Sequence, residues 1–189
     1  MSEGGPEAWL VRHGETEWSR SGRHTGRTDV PLTEAGEAAA RAVRDRLAGE
    51  RFDLVLVSPA LRARRTCEIA GFGDVAVVDP DAWEWDYGDY EGRTTADIRR
   101  AEPGWSVWTD PMPGGESLDA VAARADRVVA RARAAGRTLV VSHGHLLRIL
   151  AARWLGMPPA AGAHLVLGTA TLSTLGWERE TPALLRWNS

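Results

Sequence analysis

Two apolar runs in this chain stop at a histidine followed by glycine: Leu10-Val11-Arg12-His13-Gly14 near the start, and Leu139-Val140-Val141-Ser142-His143-Gly144 near the end. Each reads as a buried strand that ends at a glycine turn, with an imidazole at its C-terminal tip. In a parallel α/β sheet the strand tips are where ligands bind, at the point where strand order reverses. Two imidazoles delivered to one crevice from distant parts of the chain suggest chemistry. Arg12 beside His13 points to phosphate as the group acted on.

The remaining pattern fits that frame. Ala8 to Arg12 is the first strand, and a helix is expected from about Glu34 to Gly49 behind a Thr33 cap, with Ala35, Ala39, Ala42, Val43 and Leu47 on one face. Leu54 to Val57 is a short valine-rich strand. Ser58-Pro59 reads as an N-cap with proline in the first helical position, which puts Arg62 in the first turn of the next helix, at the same end of the sheet as His13. Val75 to Val78 is a further strand and Thr95 to Ala101 a short helix. Ser19 to Pro31, Trp83 to Arg93 and Glu102 to Glu116 are irregular. Ser117 caps a long amphipathic helix closed by Gly136. After the strand Thr138 to Ser142 come a helix from about Leu146 to Leu155 and short strands at Leu165 to Leu167, Thr171 to Leu175 and Leu184 to Trp187. Strands alternating with helices predict a three-layer α/β sandwich with a mainly parallel central sheet flanked by helices.

Composition narrows the class. A length of 189 residues suits a single domain, expected over 8–189 after a polar, glycine-rich flexible lead-in over 1–7. A formal net charge of −3 argues against a nucleic-acid binder. A single cysteine, Cys67, rules out an internal disulfide and suits a reducing cytoplasm. No apolar run approaches the ~20 residues that span a bilayer, so no membrane partner is expected. The expected partner is a small phosphorylated metabolite, and a homodimer is compatible with the sequence.

Several phosphate-handling devices are missing. There is no Gly-x-x-x-x-Gly-Lys-Ser/Thr loop, and Cys67 has no arginine six residues later to serve a loop-bound thiolate. His143 and His145 could share a metal, yet a third ligand is not apparent and nearby arginines oppose a cation. No metal and no cofactor are therefore expected. What remains is an imidazole nucleophile forming a covalent phosphoramidate, with guanidinium groups to neutralise the phosphoryl oxygens and a proton donor for the leaving alkoxide. Arg12, Arg62 and His143 are the available clamp.

These residues carry a resemblance. Val11-Arg12-His13-Gly14-Glu15-Thr16-Glu17-Trp18, Ser58-Pro59-Ala60-Leu61-Arg62-Ala63-Arg64-Arg65-Thr66 and Ser142-His143-Gly144-His145 together resemble the histidine phosphatase superfamily, the phosphoglycerate-mutase-like proteins, in order and spacing over nearly the whole chain. The resemblance implies His13 as the phosphorylated nucleophile and Arg12, Arg62 and His143 as its phosphate pocket. It implies a carboxylic acid from Trp83-Glu84-Trp85-Asp86-Tyr87-Gly88-Asp89 as proton donor, by position Glu84, with Asp86 as the fallback. Flanking Trp83 and Trp85 are expected to give Glu84 an apolar setting that keeps a proton on it. Substrate contacts are expected from Ser19, Thr25, Gly26, Tyr87, Gly144 and His145, the last of which could equally begin the following helix.

Mutases of this family usually carry asparagine where Ser19 stands, and the long insertion over the mutase site is lacking. The stretches Thr16 to Asp29 and Trp85 to Gly92 are similar instead to a phosphatase-leaning branch that includes acid phosphatases and sedoheptulose bisphosphatase. The expected function is thus a metal-independent phosphomonoesterase working through a phosphohistidine. Alternatives are a phosphoglycerate mutase, a sugar bisphosphatase, and a non-catalytic phospho-ligand-binding domain. His24 and His164 read as plain loop and strand residues. Trp83, Trp85, Trp105 and Trp108 fit a pocket wall and an ordinary core equally well. Pro111 to Ser117 fits a lid hinge or a plain loop.

Overall fold

Strands that alternate apolar side chains on both faces must be covered on both sides, and this chain supplies helices for each. The computed structural model describes residues 5–189. Strand β1 (Glu7–Arg12) runs parallel to β4 (Arg137–Ser142) and antiparallel to β5 (Leu172–Glu178). Ala8 and Leu10 of β1 and Val140 of β4 point into one core cluster, built with helices α5 (Leu118–Ala135) and α6 (Gly144–Trp154). Trp9, Val11, Leu139 and Val141 point into a second cluster, against α2 (Glu34–Arg46) and α3 (Leu61–Ile69). Leu146, Leu147, Ile149 and Leu150 on α6 are buried, each contributing roughly 1.5–3 kcal/mol of hydrophobic stabilisation.

The six strands lie in the order β3-β2-β4-β1-β5-β6, with β2 at Leu54–Val57, β3 at Val77–Val78 and β6 at Thr181–Arg186. The first four are parallel, and β5 and β6 add an antiparallel edge. Three layers and a mainly parallel sheet match the expectation. Chain order reverses between β1 and β4: β1 is followed by a helix on one face and β4 by a helix on the other. Their tips are in register, Arg12 opposite Ser142, and the backbone N–H of His13 donates to the Ser142 carbonyl at 2.9 Å. That switch point is where a doubly wound sheet offers a crevice.

Local chemistry explains the helices. Thr33 Oγ1 accepts from Gly36 N at 3.0 Å and Ser117 Oγ from Ala120 N at 3.1 Å, capping α2 and α5. Gly136 ends α5 at φ 104°, open to glycine. A short helix α4 (Thr95–Ala101) carries a Thr94–Asp97 capping box. A further turn, α1 (Glu17–Arg20), stands where an irregular loop was expected, started by a Thr16–Ser19 capping box.

Other boundaries differ for visible reasons. β1 begins at Glu7, and Pro6 is held by the Trp177 indole, so the expected lead-in does not extend to residue 7; its residues 1–4 lie outside the described residues. α2 stops at Arg46, short of Gly49. Ser58 does not cap α3: its hydroxyl is engaged by His143, Ala60 takes the cap position, and Asp29 Oδ1 accepts the Leu61 N–H at 2.9 Å. Only Val77 and Val78 pair with β2, since Gly73–Val75 form a turn of 3-10 helix. Leu165 to Leu167 is not a strand. Its groups are met by side chains instead, Trp187 Nε1 donating to the Val166 carbonyl and Arg12 to that of Leu167. His164 ends a 3-10 segment, Pro159–His164. α6 starts two residues early, at Gly144.

Candidate active site

His13 and His143 leave adjacent strand tips and meet edge to face, with ring centroids 5.2 Å apart and planes at 63°. His13 Nδ1 lies 2.7 Å from the Gly14 carbonyl. A carbonyl can only accept, so Nδ1 carries the proton and Nε2 holds the lone pair. Burial, then the charges of Arg62 and Arg12, hold the His13 pKa well below the usual imidazole value. The ring is therefore neutral near pH 7. His143 is held low by burial and then by Arg62, His13 and Arg12. Its Nε2 lies 2.7 Å from Ser58 Oγ, which also accepts from the Ala60 N–H at 3.3 Å.

Two arginines frame the pair. Arg12 ends β1 and donates Nη1 to the Leu167 carbonyl. Arg62, in the first turn of α3, is fully buried. It gives Nη1 to the Thr28 carbonyl at 3.0 Å and Nη2 to those of Thr25 at 2.9 Å and Gly26 at 3.0 Å. Arg12 Nε, Arg62 Nε and His143 Nδ1 are buried without a protein partner. Buried polar groups are normally paired, and two of these are permanent cations. Together they suit an anion.

Glu84 is buried and reaches the start of α6. Its Oε1 accepts from the N–H groups of Trp85 and Leu146, each at 2.9 Å, and its Oε2 from that of His145 at 3.0 Å. The N-cap residue His143 makes no side-chain cap, so Glu84 satisfies the open amides of this helix instead. This corrects the apolar setting expected from Trp83 and Trp85. Trp85 turns into the core and donates Nε1 to the Glu116 carbonyl, while Trp83 lies under Arg27 and stacks beside His143. Asp86 faces Arg27 at 3.5 Å and the Gly88 N–H at 3.0 Å, and does not line the cavity.

A cavity of about 200 Å³ opens over this group, lined by Arg12, His13, Ser19, Thr25, Glu84, Tyr87, Gly144 and His145 among the expected residues. His143 and Arg62 lie buried against His13 and are not part of its wall. Gly26 is also off the wall: Glu91 takes its N–H and Arg62 its carbonyl. Tyr87 and His145 form a pair, Tyr87 OH to His145 Nδ1, at 2.6 Å. Burial, then the neighbouring Arg148 charge, lowers the His145 pKa well below normal, while burial and then Glu84 raise that of Tyr87 well above normal. A phenol is the stronger donor and an imidazole nitrogen the stronger acceptor, so the favoured direction has Tyr87 donating to Nδ1. His145 Nε2–H is then the donor left for a ligand.

Several lining residues were not anticipated. His24, read as a plain loop residue, lines the cavity with Nδ1 donating to the Arg93 carbonyl at 2.8 Å and its ring parallel to that of His145. Thr95 and Leu167 line it too, as does Arg148, which donates to the Gly162 and Ala163 carbonyls and stacks on Trp108 at 4.6 Å. Of the arginines beyond the clamp that the sequence offers for a second phosphate or carboxylate, Arg20, Arg23 and Arg27, only Arg23 is on this wall. Arg148 lies one helical turn after Gly144, a spacing that would have found it. The four tryptophans stand behind the wall: Trp85 and Trp105 are core residues. Pro111 to Ser117 is bound to the segment before it, through Asp89 N–H to the Pro113 carbonyl and Glu116 N–H to that of Asp86, which favours the plain-loop reading. Among the described residues, no group of three or more His, Cys, Asp or Glu side chains is placed to hold a metal ion, and no helix is long and apolar enough to cross a membrane.

The profile of the histidine phosphatase superfamily (branch 1) matches residues 8–189. An acid phosphatase of Mycobacterium tuberculosis is 43% identical over 174 residues, covering 89% of this chain and 85% of that protein. A sedoheptulose 1,7-bisphosphatase of Saccharomyces cerevisiae is 36% identical over 185 residues, covering 80% and 68%. The solved structure of a Mycobacterium tuberculosis open reading frame superposes with a TM-score of 0.91 at 39% identity, covering 97% of each chain. Fold, strand-tip imidazoles and profile agree: the chain belongs to branch 1 of the histidine phosphatase superfamily.

Proposed function

We propose that this protein is a metal-independent phosphomonoesterase that passes the phosphoryl group through His13. The observation that carries the reading is a neutral His13. Its Nδ1–H is committed to the Gly14 carbonyl, and it lies beside two buried guanidinium groups with unpartnered Nε atoms. In the first step His13 Nε2 attacks phosphorus in line, the N–P bond forms, and the ester P–O bond breaks. The leaving alkoxide takes a proton from the Glu84 carboxyl, and the three amides around Glu84 hold the carboxylate that results. The phosphorylated ring is cationic, and Nδ1–H to Gly14 supports that charge. Arg12 on the cavity wall meets the equatorial oxygens, and the Arg62 charge and the His143 ring behind His13 support them as charge redistributes. In the second step water gives a proton to Glu84 and attacks phosphorus, the N–P bond breaks, and phosphate leaves.

Family membership makes the chain a phosphoric monoester hydrolase of small phosphorylated metabolites, and the small cavity with Arg23 and Arg148 on its wall suits a compact anionic ester. In this reading residues 8–189 act as one domain in the cytoplasm, where a free Cys67 is stable, and the net charge of −3 does not favour nucleic acid.

The test is a rapid quench with radiolabelled substrate in excess chelator. Acid-labile phosphate should map to His13 alone and be absent from His13→Ala. Loss of turnover on chelation, restored by a divalent ion, or label on His143 or His145, would overturn the reading. Glu84→Gln should slow an alkyl phosphate far more than nitrophenyl phosphate, whose phenolate needs little proton assistance.

A further inference from the structure

Glu84 sits on an irregular stretch with no ladder bonds of its own, so something outside the sheet must fix its position. A single buried arginine of α5 does most of this. Arg124 donates Nη1 to the carbonyls of Asp81 at 2.8 Å and Trp83 at 2.9 Å, and Nη2 to that of Glu84 at 3.3 Å. Its Nε and Nη2 also grip Glu116, each at 2.8 Å. All five of its N–H groups are thereby used. Glu116 extends the grip: its Oε2 accepts from the Asp86 N–H at 3.0 Å, its carbonyl from Trp85 Nε1 at 2.8 Å, and its own N–H donates to the Asp86 carbonyl at 3.0 Å. The backbone is thus held at residues 81, 83, 84 and 86, on both sides of Glu84. Arg127 and Arg131, further along α5, bind Asp81 and Asp79 at the start of the same stretch. α5 also packs along α6, whose first amides receive the Glu84 carboxylate. One helix therefore sets the distance between the acid and the helix start it must reach.

From this geometry we propose that Arg124, with Glu116, is a positioning residue for Glu84: it governs proton delivery to the leaving group and leaves the attack by His13 untouched. The proposal rests on reading Glu84 as the acid. A guanidinium used only to hold the fold would, when removed, lower every activity together. One acting through Glu84 lowers turnover only where the leaving group needs a proton.

The experiment compares kcat/KM for glycerol phosphate and nitrophenyl phosphate in four proteins: wild type, Glu84→Gln, the double variant Arg124→Met with Glu116→Gln, and the triple combination. Removing both charges together avoids leaving one buried and unpaired. The double variant should lose about tenfold or more on glycerol phosphate, within the ~10²–10⁴-fold that general acids supply, and less than about threefold on nitrophenyl phosphate. In the triple variant the Arg124 and Glu116 changes should add nothing to the glycerol phosphate loss, because their route through Glu84 is already cut. Equal losses on both substrates, or full additivity in the triple variant, would overturn the proposal. If the double variant does not fold, Arg124→Lys is the substitute. It keeps the charge but cannot span three carbonyls, and must show the same selective loss. Failure of both to fold makes Arg124 a residue of the fold and defeats the proposal. If Glu84→Gln itself leaves the substrate ratio unchanged, it is the reading of Glu84 that fails, and the proposal goes with it.

Discussion

The proposed nucleophile, His13, is followed by a tight backbone contact at Gly14, and one methyl group would force that contact open. A Cβ at Gly14 would fall 2.4 Å from the Gly36 carbonyl oxygen and 3.0 Å from its carbon. A Cβ at Gly36 would fall 2.2 Å from the Glu15 carbonyl oxygen and 2.7 Å from its nitrogen. Every obstructing atom is backbone, so no side chain can swing aside. Real Cβ contacts essentially never fall under 3.0 Å. Gly14→Ala must therefore push the β1 tip away from the start of α2 by at least 0.6 Å, the difference between 3.0 and 2.4 Å. Overpacking of this kind costs about 1–3 kcal/mol, or roughly 2–12 °C in melting temperature for a chain of this size. His13 is the next residue back, and displacements near 1 Å cost on the order of a hundredfold in rate. Gly14→Ala should thus lose about tenfold or more in kcat/KM on nitrophenyl phosphate, assayed well below its melting temperature. Gly36→Ala should destabilise similarly. The double variant should lose less stability than the two losses added together, because one gap accommodates both methyl groups. Differential scanning fluorimetry and steady-state assays read both effects. A Gly14→Ala protein that melts within about 1 °C of wild type and keeps most of its activity refutes the contact argument.

Other outcomes follow from the same geometry. With the His13 pKa well below normal, kcat/KM for nitrophenyl phosphate, which needs little proton assistance, should show no acid limb centred at 6.5, because the attacking ring takes up its proton only at lower pH; an acid limb centred at 6.5 in the pH–rate profile contradicts this. Stability should behave oppositely. His13, His143 and His145 bind protons more weakly when folded than when unfolded, so below about pH 6.5 the unfolded chain holds more protons. Their contribution is full above that pH and lost as pH falls toward the folded values. Melting temperatures from pH 8 to pH 5 should fall on the acid side. Tyr87→Phe removes the donor to His145 Nδ1 and should raise KM for a sugar phosphate several-fold, at a stability cost of about 1–3 kcal/mol; unchanged KM would remove His145 from substrate binding. Glu91→Ala frees the N–H groups of Gly26 and Thr28 and with them the carbonyls that orient Arg62. It should lower kcat/KM for alkyl and aryl esters alike, which separates it from changes that act through Glu84.

What could be read from residue order alone was the part governed by period and termination. The β1 and β4 runs, the spacing along α5 and the glycine turns place His13 and His143 at neighbouring strand tips, and the structure puts them 5.2 Å apart. What could not be read was where polar groups find their partners. The burial of Arg62 depends on carbonyls 34 to 37 residues away, held by Glu91 a further stretch along the chain. Ser58 looks like a helix cap, but the bond to His143 takes its hydroxyl. Leu165 to Leu167 has the composition of a strand but no partner at the sheet edge, and side chains satisfy its carbonyls. The setting of Glu84 was misjudged for the same reason. Neighbours in sequence were apolar, whereas neighbours in space are three amide donors.

In the proposed mechanism the two arginines beside His13 serve binding and reactivity through one electrostatic effect. Burial already disfavours a charged imidazole, and the nearby guanidinium charges disfavour it further, so the nucleophile keeps its lone pair. The same charges would repel one another in an empty, low-dielectric site, and backbone carbonyls temper this: Arg62 holds three and Arg12 one. These bonds leave the Nε atoms without a partner, so orientation is fixed while capacity for an anion remains. When a phosphate ester binds, its negative charge offsets the two cations at the moment the imidazole begins to turn positive. The cost of making a cationic phosphohistidine therefore falls in the complex, where it is needed, and stays high in the free enzyme, where protonation would waste the nucleophile. Neutralising Arg62 by substitution should weaken both properties together, because they arise from one charge.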